Sequence, residues 1–218
     1  MRLLTFNIRL AAAIIACVLV LGLLAYLVHR SPSRFAASYT AYSVLAQKQQ
    51  DAAFVPGAPN NPVRQQLSQF LTQILAKQTS AKERLKLATQ GLSSLGDSEK
   101  QINEIGTTGE KVDSAIAKMQ VDSLGDISSS DISRQIVALA KQRSSIISDI
   151  RGYSYRADFE IDKIFRRIIA DGGKLTDAYV IELNDEVPAV EAQFNKRSDL
   201  YNQLQAVSGQ IEEKSSQL

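Results

Sequence analysis

The chain has 218 residues, a net charge of +2 and no tryptophan. Its single histidine, His29, and single cysteine, Cys17, exclude histidine-based triads, multi-histidine metal sites and a disulfide framework. The first four arginines set the positive sign, because the rest of the chain carries 21 basic and 23 acidic residues. A basic nucleic-acid-binding surface is therefore not predicted.

An uncharged apolar run of nineteen residues extends from Leu10 to Val28. At about 1.5 Å per residue, a helix over this run measures roughly 28 Å, which matches the hydrocarbon core of a bilayer. Arg2 and Arg9 precede the run, and His29 and Arg30 follow it. We interpret residues 1–29 as a single transmembrane signal-anchor, whose membrane-embedded positions include Leu10, Ile14, Cys17, Leu21, Tyr26 and Val28.

Two other interpretations of this run are a cleaved signal peptide and a lipoprotein modified at Cys17. A cleaved signal has a shorter apolar stretch and a small-residue cleavage site, and Tyr26 to Arg30 offers none. Eleven apolar residues follow Cys17, where a lipoprotein has a polar tether.

The positive-inside rule narrowly favours a cytoplasmic N-terminus. We therefore expect a single-pass protein of the inner (cytoplasmic) membrane of a bacterium, with its body extracytoplasmic.

Residues 30–61 are predicted to form a membrane-proximal helix and a proline-rich linker. Ser31 and Pro32 are a plausible N-cap and first-turn pair for a helix from about residue 32 to residue 53. The stretch 54–62 contains three of the five prolines, which interrupt regular helix.

Residues 62–126 have a heptad-like apolar pattern and are predicted to form a first helical hairpin. Its turn is expected at Gly96, because Ser98 and Gln101 resemble a capping box. The alternative is one continuous helix with a slip of register between Ile102 and Ile105.

Residues 127–218 are predicted to form a second, longer hairpin. Its first helix has a regular apolar seam from Ile132 to Ile168, in which only Arg143 is polar. A buried charge needs a partner, so Arg143 should pair with an acid on a neighbouring helix or lie where the seam is open to water. Gly172 and Gly173 should end that helix. In the last helix, Pro188 should cause a kink or a restart, and a short strand over residues 178–183 is an alternative for its beginning.

Charge alternates along the predicted segments. Residues 48–96 and 132–174 each carry a net charge of +4, and residues 97–131 and 175–218 each carry −5. In an up-and-down bundle every sequential contact would then join unlike charges.

The apolar run and the helical periodicity of the other segments predict an all-α fold class. It consists of a transmembrane helix followed by long antiparallel amphipathic helices in a helical bundle or coiled-coil hairpins.

One cluster of side chains is a candidate contact for a partner or ligand, and it lies in the long helix of the second hairpin. A bundle core covered by arginine stems would explain the same residues. Three acidic residues near Pro188 give a much weaker indication of a cation site, because acids at a helix start are favoured by the helix dipole. The candidate contact residues are Arg151, Tyr153, Tyr155, Arg156 and Phe159.

The sequence predicts no catalytic residues, no cofactor and no metal, and hence no enzyme. It favours a membrane-anchored scaffold or assembly protein that tethers or spaces partners at the membrane. One alternative is the ligand-binding ectodomain of a sensor or of a transport or secretion complex. Another, with inverted topology, is a membrane-tethered cytoplasmic coiled-coil scaffold. The expected partners are the lipid bilayer and other proteins bound through helical surfaces, a homo-oligomer included, and not nucleic acid.

Overall fold

The computed structural model describes residues 34–57, 62–125 and 130–218, and in these ranges it contains five α-helices and no strand. Three of the helices are about 60 Å long at 1.5 Å per residue. The predicted all-α class is confirmed. The helices are α1 (Arg34–Gly57), α2 (Pro62–Leu75), α3 (Ala81–Leu124), α4 (Ser130–Ala170) and α5 (Asp177–Ser215).

The helices form a four-helix bundle whose fourth position is shared by α1 and α2. One core cluster joins α1 to the C-terminal half of α3, the N-terminal half of α4 and the C-terminal half of α5. A second cluster joins α2 to the opposite halves of the same three helices. Arg34 therefore lies at the same end as the α3–α4 connection and the end of α5. The α2–α3 turn and the glycine pair that ends α4 lie at the other end.

The predicted membrane anchor, Leu10–Val28, lies outside the described residues, as do Ser31 and Pro32. Among the helices that the structure does describe, none combines the length and the apolar character needed to cross a bilayer.

α1 is longer than predicted, since it continues to Gly57 rather than ending near residue 53. Pro56 lies in its last turn, where the missing N–H removes only one helical hydrogen bond.

The turn predicted at Gly96 is wrong, because α3 is continuous from Ala81 to Leu124. The chain turns earlier, at residues 76–80, and Ser80 is the N-cap whose side chain accepts a hydrogen bond from the Glu83 N–H at 3.2 Å. Ser98 is not a cap but a buried residue in the middle of α3.

Small residues in α3 allow close packing against α4. Gly91 faces the ring of the fully buried Phe165, and a Cβ atom at Gly91 would lie 2.1 Å from the nearest ring carbon. The glycine is thus required by helix packing rather than by a turn.

The buried face and the C-terminal end of α4 agree with the sequence. The apolar seam of α4 is buried at Ile150, Ile161 and Ile168, for example. Gly172 and Gly173 follow the helix with φ of 61° and 77°, the left-handed conformation that favours glycine.

α5 corrects two of the alternatives. It begins as helix at Asp177, with Thr176 as N-cap, so the strand over residues 178–183 is wrong. It also continues through Pro188 without a restart.

The observed helix boundaries weaken the predicted charge alternation. α3 carries six basic and seven acidic residues and is nearly neutral, because the assumed turn had divided it into a basic and an acidic part. α4, with eight basic and five acidic residues, still faces α5, with three basic and eight acidic. Lys163 and Arg167 of α4 form ion pairs with Glu186 and Glu182 of α5, respectively.

Candidate functional site: an aromatic and acidic groove

The five residues singled out in the sequence do not form one site, because their helical positions direct them to different sides of α4. Tyr155 and Phe159 are one turn apart, line a groove against α3, and are 63% and 59% exposed. The guanidinium of Arg156 instead lies 4.3 Å from the ring centroid of Tyr153, and its Nε donates to the Gly152 carbonyl at 3.3 Å.

Arg151 contributes to the contact between α3 and α4. Its Nε donates to the Ile102 carbonyl at 3.2 Å, and its guanidinium packs over Gly106. A Cβ atom at Gly106 would lie 2.8 Å from the guanidinium carbon. Only Tyr155 and Phe159 of the predicted cluster therefore present large apolar surfaces to solvent.

The groove beside these two rings has a volume of about 420 Å³ and lies between α3 and α4. An added Cβ at Gly96 would meet no atom within 4 Å, so the groove is open at this point. Besides the two aromatic residues, the groove is lined by Leu92, Leu95, Gly96, Glu99, Ile102, Asp158, Asp162 and Arg166.

A partly buried carboxylate, that of Asp158, forms part of the groove. The Ser98 hydroxyl of α3 donates a hydrogen bond to it at 2.5 Å. Burial raises the pKa of Asp158 from 3.8 to about 6, although the Ser98 hydrogen bond and the charge of Arg197 both lower it. The nearby charge of Glu99 also raises this pKa. The carboxylate is thus held where its negative charge is poorly solvated.

The other charges leave the groove acidic. Arg166 forms an ion pair with Asp162, in which Nε and Oδ2 are 2.7 Å apart. The charges of this pair compensate each other. Glu99 and Asp158 then determine the sign of the groove, although the buried Arg197 partly offsets the charge of Asp158 from inside the bundle. Aromatic faces beside carboxylates can bind cationic and apolar groups together.

Arg143 lies in a separate polar layer inside the bundle and is only 2% exposed. One terminal nitrogen donates to the Ala46 carbonyl at 2.5 Å and to Oε1 of Gln50 at 3.0 Å. Gln50 also accepts a hydrogen bond from the Ser208 hydroxyl at 3.2 Å, which extends the layer to α5.

The buried partner expected for Arg143 is therefore found, but it is a set of uncharged oxygens rather than an acid. Oε1 of Gln49 is a further acceptor, at 3.5 Å. Burial lowers the pKa of Arg143, while the neighbouring Tyr42 raises it. The layer links α1, α4 and α5 and positions α1 along the bundle.

The acidic residues near Pro188 are used in ion pairs with α4, at Glu182 and Glu186. Across the described ranges, no group of three or more His, Cys, Asp or Glu side chains could hold a metal ion.

The sequence interpretation missed the polar part of the groove. Asp158 adjoins the seam residue Ala157, and periodicity alone does not reveal that such a residue is desolvated by a neighbouring helix. Ser98 was detectable, because Leu95, Ser98 and Ile102 continue the three- and four-residue spacing of a single α3 seam.

Comparisons with known proteins give no match: no family model fits the chain, and neither the curated proteins nor the solved structures include a significant relative.

Proposed function

We propose that this protein is a membrane-anchored helical scaffold that tethers or spaces partner proteins. The observation that carries the proposal is the position of α1. It begins at Arg34, six residues after the apolar run ends at Val28, and it lies at one end of a bundle about 60 Å long. An anchor joined at that end makes the bundle a rod that extends from the bilayer.

The surface of the rod supports a role in binding other proteins. Large apolar side chains are exposed at separate levels along its length, at Phe159 in the groove and at Ile181 near the end remote from Arg34. Ile181 is 66% exposed. Aromatic side chains are enriched at protein–protein interfaces, so Phe159 supports this role more strongly than the single exposed Ile181.

The further details of the proposal concern location and chemistry. The narrow excess of positive charge before the apolar run supports an extracytoplasmic body at the inner membrane of a bacterium. The groove offers carboxylate, arginine and aromatic groups but no histidine or cysteine, which supports a binding role rather than catalysis.

Anchoring is tested by introducing charge into the apolar run. A chain with Ile14→Arg and Leu21→Arg should be released from membranes by alkaline carbonate, because each central arginine costs about 2.5–3.5 kcal/mol on insertion. The wild-type chain and the control Cys17→Ala should stay in the membrane pellet. Retention of the double variant would contradict the transmembrane anchor. A larger precursor accumulating in Cys17→Ala would instead identify a lipoprotein.

Topology and tethering need two further measurements. A reporter that is active only outside the cytoplasm should be active when fused after Leu218, and activity of a cytoplasmic reporter there would establish the inverted scaffold. Purification of the full chain in mild detergent should recover the same set of proteins with the wild type and with Cys17→Ala. Recovery of none would contradict the tethering role.

A further inference from the structure

The groove between α3 and α4 has the length of a short helix. It extends along α3 from Leu92 to Ile102 and along α4 from Tyr155 to Arg166. Eleven or twelve residues of helix correspond to about 17 Å, or three turns. Two antiparallel helices with a channel between them form the type of surface on which an amphipathic helix packs.

The apolar part of the groove lacks a cover among the described residues. More than half of the surface of Tyr155 and of Phe159 is exposed, and the two residues are one helical turn apart. A helix with apolar residues at positions i and i+3 or i+4 could contact both rings at once. The open space at Gly96 allows such a helix to lie close to α3.

The charge of the groove indicates which kind of helix would bind. Arg166 is compensated by Asp162. This leaves the exposed carboxylate of Glu99 and the carboxylate of Asp158, whose charge Arg197 offsets only in part from inside the bundle. Asp158 is partly buried, so a cation brought next to it is attracted more strongly than at the open surface. A lysine or arginine could also contact the faces of the two aromatic rings.

We propose that the groove binds a basic amphipathic helix of a partner protein. Its apolar side chains would cover Tyr155 and Phe159, and a lysine or arginine would reach Asp158 and Glu99. The inference rests on the proposed scaffold function and deepens it by specifying the chemistry of the partner. A second copy of the chain fits less well, because its basic long helix, α4, has its apolar face buried in its own bundle, and its α3 and α5 both contain more acidic than basic residues.

The test uses the full chain in nanodiscs of zwitterionic lipid, with photoreactive benzoylphenylalanine in place of Phe159. The probe is a synthetic amphipathic helical peptide of leucine, alanine and lysine, and its matched control has glutamate in place of every lysine. The crosslinked yield is measured against peptide concentration. A second control carries the photoreactive residue in place of Val44, which is exposed on α1 away from the groove.

At position 159 the basic peptide should reach half-maximal yield at a concentration at least about tenfold lower than the acidic peptide. Adding Gly96→Leu should raise that concentration at least about tenfold, because leucine occupies the open wall. A Cβ at Gly96 meets no atom within 4 Å, and the circular dichroism spectrum of the variant checks that the helices are retained. The combined change Glu99→Gln and Asp158→Asn should remove the preference for the basic peptide. At position 44 the two peptides should not differ.

Equal yields with the two peptides at position 159, or an unchanged yield with Gly96→Leu, would overturn the proposal. Crosslinking between two copies of the chain that neither peptide displaces would also overturn it and would assign the groove to self-association. Carbonate extraction of the same variants tests the anchor independently. A failed groove therefore leaves the anchored scaffold standing, and a failed anchor does not affect the peptide result.

Discussion

Replacing Gly91 with alanine tests the close packing of α3 on α4. The new Cβ would lie 2.1, 2.5 and 2.7 Å from three carbons of the Phe165 ring. Phe165 is fully buried, so its ring cannot move into solvent without opening the core. Overpacking of this kind costs about 1–3 kcal/mol and sometimes more, while glycine to alanine in a helix gains at most about 1 kcal/mol. We expect Gly91→Ala to lower the free energy of unfolding by about 1–3 kcal/mol.

Gly96→Ala is the matched control, five residues further along the same helix. Its Cβ meets no atom within 4 Å, so the helix preference alone should stabilise the protein by about 0.5–1 kcal/mol. Both variants are compared with the wild type in urea and thermal unfolding of the full chain, and circular dichroism monitors the loss of helix. For a chain of this size Gly91→Ala should lower Tm by about 2–12 °C.

The double variant Gly91→Ala, Phe165→Leu separates a steric cause from a general loss of helix. The smaller side chain should recover part of the stability lost on adding the methyl group. If Gly91→Ala stabilised the protein as much as Gly96→Ala, the contact between α3 and α4 described above would be refuted.

Two other predictions concern buried charges. Asp158 binds a proton more readily in the folded chain, with a pKa of about 6 against an ordinary 3.8, so stability should fall as pH rises between these values. In Asp158→Asn the new amide oxygen can still accept the hydrogen bond from Ser98. When unfolding is measured at pH 8, this variant should be more stable than the wild type by up to about 3 kcal/mol. Equal stabilities would refute the buried carboxylate. Arg143→Ala should cost about 2–4 kcal/mol and speed hydrogen exchange at Ala46 in α1, because it leaves a cavity and acceptors without their donor. The exposed control Arg134→Ala should change neither quantity, and equal effects of both arginine variants would contradict the polar layer.

The helices of the bundle were largely predictable because burial imposes a period on the sequence. Isoleucines at three- and four-residue steps identified the buried face of α4, and the glycine pair after it supplied the left-handed residues that end a helix. Such signals are local, so a single sequence contains them.

The position of the first turn could not be read in the same way. Ser80 with Glu83 and Ser98 with Gln101 both have the spacing of a capping box, and only the first caps a helix. Contact with α4 distinguishes the two serines, because Ser98 donates a hydrogen bond to Asp158. Asp158 is sixty positions further along the chain, and the local periodicity around Ser98 does not indicate this contact. The groove depends on the same contact, so its aromatic residues were found and its carboxylate was not.

The division of the fourth helix has a mechanical consequence. Only residues 58–61 connect α1 to α2, so tension applied at Arg34 enters α1 first. Because α1 lies along the bundle axis, its contacts with α3 and with Arg143 would all bear the tension at the same time. They would not break one after another. Once detached, its 24 residues could extend to about 80 Å. α2 and the groove between α3 and α4 would stay assembled, so a protein held in the groove would remain attached to a lengthening tether.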